Sequence, residues 1–178
     1  MRRGFSIVDL LVSIGIAALL LAILGAVLAR SRSAAQNTIC LSRLHSISQG
    51  FSQYVTDNEG RYPDPFALQR SWEQCIGKDM TDPLLFACPA DGEVYPAIGS
   101  SYDWRDTGIV ATTMAGRTAG DVTRPEAVLS FESLPGWHDK GKMNAVRLDG
   151  SAGTMDQERC LSDLQLPIRS SGLSNNGQ

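Results

Sequence analysis

The sequence has few of the features that mark an enzyme. It contains no Cys-x-x-Cys or Cys-x-x-His pair, no serine or cysteine in a nucleophile elbow, and no glycine-rich loop between a strand and a helix. Only two of its 178 residues are histidines. These absences argue against a short-motif zinc site, a hydrolase site and a nucleotide-binding loop. We therefore expect no catalytic residue, no metal ligand and no cofactor.

The sequence also lacks a basic excess. It has 16 lysines and arginines against 19 acidic residues, which gives a net charge of −3. Four of the arginines, at positions 2, 3, 30 and 32, lie before residue 33, so the rest of the chain is more acidic than the whole. Nucleic-acid binding depends on positive charge that neutralises phosphates. We therefore expect no nucleic-acid partner.

Polar side chains are almost missing from one long stretch. Between Leu10 and Ala29 the only side chain with a hydroxyl or a charge is Ser13. About 20 apolar residues are the length that a helix needs to cross a membrane. Arginines flank both ends, so counting them does not decide the orientation. Two ordinary explanations of this stretch are a generic membrane anchor and a secretory signal that is cut near Ala29. The apolar core of a secretory signal, however, has only about 7–15 residues.

One carboxylate lies near the start of this stretch. Asp9 is about one helical turn inside it, and a carboxylate at the bilayer centre costs roughly 2.5–3.5 kcal/mol. The expected partner of Asp9 is a positive charge at the same depth. Cleavage after Gly4 would create such a charge, the α-amino group of Phe5, in the same chain or in a neighbouring subunit.

The segment from Gly4 to Val12, Gly-Phe-Ser-Ile-Val-Asp-Leu-Leu-Val, resembles the amino-terminal signature of type IV pilins and type II secretion pseudopilins. The resemblance implies that Gly4 is the cleavage residue of a prepilin peptidase and that Phe5 is N-methylated. It also implies that Asp9 is the subunit-pairing carboxylate. The family has glutamate where this chain has Asp9, and the shorter side chain reaches less far.

Further segments are similar to a pseudopilin-like family. They are Cys40-Leu-Ser-Arg-Leu44 in the predicted helix, Gly60-x-Tyr-Pro63 after it, and Phe86-x-Cys-Pro-x-Asp91. The resemblance implies a single-pass protein of the inner membrane, with a cytoplasmic N-terminus and an extracytoplasmic head. The implied partners are other pilin-like subunits and the secretion or pilus assembly machinery.

Apolar spacing beyond the membrane segment predicts that the same helix continues. Cys40, Leu44, Ile47, Phe51 and Tyr54 are spaced by 4, 3, 4 and 3 residues, which is one face of a helix. The expected organisation follows from this helix and from the composition after it. It is a leader (1–4), a membrane half-helix (5–29), an amphipathic half-helix (30–58), a head (59–168) and a flexible tail (169–178).

The expected fold class is α+β, with the long N-terminal helix packed against a small antiparallel sheet, as in pilins. β-branched or alternating residues predict strands at 108–114, 127–132, 143–148 and 151–155. Asp149-Gly150 lies between the last two and predicts a hairpin with a type I′ turn.

The four cysteines suit an oxidising compartment. Cys75 and Cys88 are the closest pair, and a disulfide between them would close a short loop worth about 3 kcal/mol. We expect this bond. The other pairings, free thiols and metal ligands remain open as alternatives.

Two weaker hypotheses concern the head. His138, Asp149 and Cys160 would form a catalytic set only if the fold brought them together, and we expect instead a loop histidine and a turn aspartate. Some pseudopilins bind calcium through loop carboxylates, and by that resemblance Asp103, Asp106 and Asp121 are candidates.

These observations leave two hypotheses for function. The first is a pseudopilin-like structural subunit that is processed by a prepilin peptidase and assembles through its N-terminal helix into a secretion pseudopilus or a pilus-like filament. The alternative is a non-assembling single-pass membrane protein whose extracytoplasmic head binds a partner. Neither hypothesis makes the chain an enzyme.

Overall fold

The structure is a computed structural model, and it describes residues 7–79, 82 and 84–169. Contacts divide the chain into two compact units, the first ending at Ala35 and the second, which we call the head unit, beginning at Gln36. The fold is α+β. The helices are α1 (Ile7–Asp57), α2 (Pro65–Leu68), α3 (Trp72–Ile76), α4 (Val94–Ile98) and α5 (Gln157–Gln165), and the strands are β1 (Tyr102–Trp104), β2 (Val128–Glu132), β3 (Lys142–Arg147) and β4 (Ala152–Asp156).

The part of α1 that belongs to the first unit is exposed. Its most apolar 18-residue window has no buried residue. Among the described residues, α1 is the one helix long and apolar enough to cross a membrane. Water does not favour a helix that is apolar on all sides, so lipid or other helices have to cover this surface.

The later part of α1 is amphipathic, as its spacing predicts. Cys40, Leu44, Ile47 and Phe51 are at most 1% exposed and belong to the main core of the head unit. Isolated helices are only marginally stable in water, so burial of this face against the head stabilises the later part of α1. The predicted face is therefore confirmed for these four residues.

Helix α1 ends in a cap whose left-handed residue is not a glycine. The N–H of Gly60 donates to the carbonyl of Val55 at 2.8 Å, which is the long hydrogen bond of a Schellman cap. Glu59 stands in the position where that cap favours glycine, and its φ is +56°. Gly60 follows with a φ of +78°.

The four strands form one antiparallel sheet in the order β1-β2-β3-β4. The hairpin of β3 and β4 pairs Met143 with Met155 and Val146 with Ala152. Its turn contains Gly150 at a φ of +83°, whereas Asp149 is not among the described non-glycine residues with positive φ. A type I′ turn needs positive φ at both central residues, so the predicted hairpin is confirmed but the predicted turn type is wrong.

The two central strands of the sheet, β2 and β3, are buried on both faces. Asn144 and Val146 of β3 point towards the core that includes α1, and the alternate residues Met143 and Ala145 belong to a second core with Cys160 of α5. This is the two-residue alternation of a pleated strand. The head unit therefore has three layers, with the later part of α1, the sheet and α5 stacked in that order.

The predicted strand at 108–114 is wrong. This segment forms turns, and Ile109 and Val110 are 61% and 83% exposed. Gly108 has a φ of +67°, which breaks an extended chain at its first residue. The segment folds back so that the N–H of Met114 donates to the carbonyl of Arg105. β-branched residues favour a strand only where neighbouring strands pack against them, and no strand of the described sheet pairs with this segment.

Candidate functional site

The first candidate site is the apolar surface of α1. Asp9 lies in the first turn of this helix and is exposed, and the Ser13 hydroxyl donates to the Asp9 backbone carbonyl at 2.7 Å. Gly4 and Phe5, the predicted cleavage and methylation residues, lie outside the described residues, as does the tail from residue 170. The roles predicted for Gly4, Phe5 and Asp9 remain predictions.

The apolar side chains of this surface are large and solvent-facing. Each is more than half exposed, and together they cover every side of the helix rather than one stripe. They are Ile7, Val8, Leu10, Leu11, Val12, Ile14, Ile16, Leu19, Leu20, Leu21, Ile23, Leu24, Val27 and Leu28. A surface of this kind fits lipid or several neighbouring helices, not a single docking groove.

The second candidate site is built on a disulfide. The bond joins Cys40 of α1 to Cys88, with 5.5 Å between their Cα atoms, so the predicted Cys75–Cys88 pair is wrong. Cys75 is a partly exposed free thiol and Cys160 a buried one. Cys40 and Cys88 are 48 residues apart, and closing a loop of that length contributes roughly 4 kcal/mol in the chain-entropy model.

Two side chains of α1 explain why Cys88 meets Cys40 and not Cys75. Gln36 donates to the carbonyl of Pro89 at 3.0 Å, and Arg43 donates to the carbonyl of Ala87. These bonds lie one helical turn on either side of Cys40, so they hold the segment around Cys88 along the same face. Sequence distance favoured Cys75, but the pairing is decided by this tertiary contact.

Buried polar groups adjoin the disulfide. The His138 Nε2 atom lies 3.2 Å from the Cys88 Sγ atom and 3.2 Å from the Glu132 Oε1 atom. The side chains of His138 and Glu132 are only 5% and 1% exposed. Asn144 donates to both oxygens of Glu132, from its backbone N–H at 2.8 Å and its side chain at 3.0 Å. We call Cys40, Cys88, Glu132 and His138 the Cys–Glu–His cluster.

Burial sets the protonation of this cluster. It raises the pKa of Glu132 to about 7, against the two hydrogen bonds from Asn144, which favour the carboxylate. Burial also lowers the pKa of His138. The contact between Glu132 and His138 is therefore better described at neutral pH as a hydrogen bond of a neutral imidazole than as an ion pair. Within the described ranges, the Nδ1 atom of His138 has no hydrogen-bond partner.

The structure gives the three residues of the catalytic hypothesis different neighbours. His138 contacts Cys88 and Glu132, while the Asp149 carboxylate accepts the N–H of Ser151 at 2.8 Å inside the hairpin turn. Cys160 of α5 packs in the second apolar core, and burial raises the pKa of its thiol to about 12. His138, Asp149 and Cys160 therefore have separate surroundings, and the structure does not bring these three residues together as one set.

The aspartates of the calcium hypothesis do not form a ligand set in the described part of the chain. Asp103 accepts the N–H of Trp104, and Asp106 accepts the hydroxyl of Thr113. Asp121 belongs to a short 3₁₀ helix, Ala119–Asp121. Among the described residues, the group of three or more ligand-type side chains that converges is the Cys–Glu–His cluster.

Sequence reasoning missed this cluster because its members come from distant elements. Glu132 ends a strand whose alternating sequence predicts an exposed polar side chain, but all five residues of this strand are buried, and His138 follows in a loop. The sequence does contain one signal for the cluster, which is a polar residue on the neighbouring strand at the position beside Glu132. Asn144 is such a residue, and it contacts both Glu132 and Asn37 of α1, the latter at 2.6 Å.

Comparisons with protein-family models, with curated proteins and with solved structures found no match. Two features of the chain itself bear on function, the exposed apolar helix with Asp9 near its start and the disulfide-linked head.

Proposed function

We propose that this chain is a pseudopilin-like structural subunit that assembles through α1 into a secretion pseudopilus or a pilus-like filament. The observation that carries the proposal is the continuity of one helix, Ile7–Asp57, which is apolar and exposed in its first part and buried in the head unit in its later part. A helix of this kind is stored in lipid and leaves it only when other helices cover its surface.

The position of Asp9 supports assembly over simple anchoring. An anchor gains nothing from a carboxylate at the edge of its apolar stretch, since the charge costs free energy wherever water is excluded. In a bundle of processed subunits, the α-amino group of Phe5 offsets that cost as a charge-assisted partner. We infer that a prepilin peptidase cleaves after Gly4 and that Phe5 is then N-methylated.

The head unit supports an extracytoplasmic location. A disulfide that links Cys40 to Cys88 across 48 residues is expected to persist in an oxidising compartment. With the head outside, the N-terminus is cytoplasmic, where the peptidase resemblance requires it. The proposal therefore includes a single-pass inner-membrane protein that contacts pilin-like subunits and the secretion or pilus machinery.

One observation favours the alternative, a non-assembling membrane protein with a binding head. The head unit has an open groove of about 810 Å³ between the exposed side of α1 and the segment around α3. Polar and charged side chains line much of it, including Gln53, Asp57, Arg70 and Lys78. Under this alternative the groove receives a partner and the chain stays monomeric in the membrane.

Crosslinking in intact membranes separates the two hypotheses. Under the proposal the native chain forms crosslinked oligomers, Asp9→Ala still inserts but loses most of them, and Asp9→Glu, a matched control that restores a carboxylate, keeps them. Unchanged oligomers for Asp9→Ala would refute the pairing role of Asp9. A native chain that stays monomeric would favour the alternative.

A further inference from the structure

We propose that the Cys–Glu–His cluster has a second state. When the disulfide is reduced, Cys40, Cys88, His138 and Glu132 bind one Zn²⁺ ion. The disulfide and the ion are then mutually exclusive occupants of the same place in the head unit. This inference does not depend on the assembly of α1, and its test is independent of the function proposed above.

The geometry of the cluster is close to that of a tetrahedral site. One ligand atom from each of the four residues lies within 4.8 Å of all the others. In a tetrahedral zinc site with bonds of about 2.0–2.3 Å, neighbouring ligand atoms are roughly 3.3–3.8 Å apart. The two 3.2 Å distances from His138 Nε2, to Cys88 Sγ and to Glu132 Oε1, are already near this range. The main movement needed is separation of the two sulfur atoms once their bond is broken.

The donor set favours zinc over the hard cations. Two thiolates, one imidazole and one carboxylate are the ligands that Zn²⁺ accepts, whereas calcium and magnesium require sites made of oxygen. Because all four protein positions are filled and the cluster is buried, the site would be structural in type, with no open position for a substrate. Asn144 already holds both oxygens of Glu132, as outer hydrogen bonds do around metal ligands.

The disulfide state leaves His138 without a full structural explanation. Its imidazole is buried, yet in the described part of the chain its Nδ1 atom has no hydrogen-bond partner. Buried polar groups are nearly always paired, so an imidazole held against a sulfur and a carboxylate calls for another reason. A cation bound at Nε2 gives this buried imidazole a function and compensates the buried charge of Glu132, while the imidazole proton then lies on Nδ1, which stays without a partner among the described residues.

The exchange between the two states balances with a dithiol as reductant. The dithiol breaks the Cys40–Cys88 bond and becomes a disulfide, while each cysteine gains one hydrogen as a thiol. Zn²⁺ then displaces the two thiol protons to water and binds neutral His138 and ionised Glu132. Oxidation of the two thiolates by an exogenous disulfide reverses the sequence and expels the ion. Either state holds the segment around Cys88 on α1.

The test uses the full chain in detergent micelles. One sample is kept oxidised and the other is reduced with dithiothreitol, which is then removed without air. Both receive Zn²⁺, are cleared of excess ion and are analysed for zinc per chain. We expect about one zinc ion per reduced chain and none per oxidised chain. Co²⁺ in place of Zn²⁺ should give a thiolate charge-transfer band in the reduced sample alone.

Variants assign the ion to this cluster. Cys75→Ser removes a thiol outside the cluster and should retain one zinc ion, whereas His138→Ala and Glu132→Gln should each weaken zinc binding at least about 10-fold. The proposal is overturned if the reduced chain retains no zinc, or if these two variants bind it as tightly as the native chain.

Near-ultraviolet circular dichroism covers the case in which reduction disturbs the fold. If the reduced chain loses its aromatic signal, recovery of that signal on adding Zn²⁺ supports the site, since metal binding is then coupled to folding. A reduced chain that stays unfolded with Zn²⁺ present counts against it.

Discussion

The guanidinium of Arg105 donates to the carboxylate of Asp163, with 2.9 Å between Nη1 and Oδ2, and Arg105 is fully buried. The same guanidinium donates to the backbone carbonyls of Thr112, Val128, Asp163 and Leu166. It therefore ties the loop after β1 to β2 and α5, across 58 residues of sequence. Burial lowers the pKa of Arg105. A guanidinium keeps its charge in proteins, so Arg105 and Asp163 form an ion pair at neutral pH.

Removing Asp163 should destabilise the head strongly. Asp163→Ala leaves the buried charge of Arg105 without its carboxylate, and breaking a buried pair in this way costs about 3–5 kcal/mol of unfolding free energy. Urea denaturation of the full chain in detergent, followed by tryptophan fluorescence, measures the change. Asp139→Ala is the matched control because Asp139 pairs with Lys142 on the surface, and it should leave the midpoint nearly unchanged. Equal midpoints for the two variants would contradict the importance of the buried pair.

The same pair predicts acid sensitivity. Burial favours the neutral form of Asp163, but hydrogen bonds from Val128, Arg124 and Arg105 outweigh it and lower the pKa. The folded chain therefore binds fewer protons than the unfolded chain between the lowered pKa and the usual value of about 4. The stabilisation is complete above the unfolded pKa and is lost as the pH falls through the folded pKa.

Urea titrations between pH 7 and pH 3 measure this dependence. Below the unfolded pKa the native chain should lose stability more steeply than Asp163→Asn, in which residue 163 cannot titrate. Parallel curves for the two proteins would show that Asp163 does not carry the effect.

The sequence was sufficient for the elements whose pattern is local. The buried face of α1 and three of the four strands follow from spacing and alternation, because one side of each faces a core. It was not sufficient for the segment at 108–114. This segment forms turns, and its Thr112 carbonyl accepts a hydrogen bond from the buried guanidinium of Arg105. It was also not sufficient for α5, whose nine residues are mostly polar apart from Cys160, Leu161 and Leu164.

The thiols should differ in reactivity. In the folded oxidised chain, iodoacetamide at pH 8 should label Cys75 alone and slowly, because burial raises its pKa but leaves it partly exposed. Cys160 should react only after unfolding, since it is fully buried and its thiol has a pKa of about 12. Mass spectrometry should count one label in the folded chain, two in denaturant, and four in denaturant with reductant. A bridged peptide pair containing Cys75 would contradict the Cys40–Cys88 bond.

The cap of α1 predicts a stabilising substitution. Glu59 holds a φ of +56°, a conformation that costs a side-chain-bearing residue about 1 kcal/mol and costs glycine little. Glu59→Gly should therefore raise the unfolding free energy by roughly 0.5–1 kcal/mol. Glu59→Ala, which removes the carboxylate but keeps a β-carbon, should bring no such gain. A gain of equal size for both variants would point to the charge and not to the backbone.

The central claim is that the chain is a processed subunit whose Asp9 meets a new terminal amine, and the most direct measurement is the mass and N-terminal sequence of the protein from membrane fractions. We predict a chain that begins at Phe5 and is heavier than that fragment by one CH2, the mass added when a methyl group replaces a hydrogen on the α-amino nitrogen. A chain that still begins at Met1, or one that begins beyond Ala29, would contradict the account.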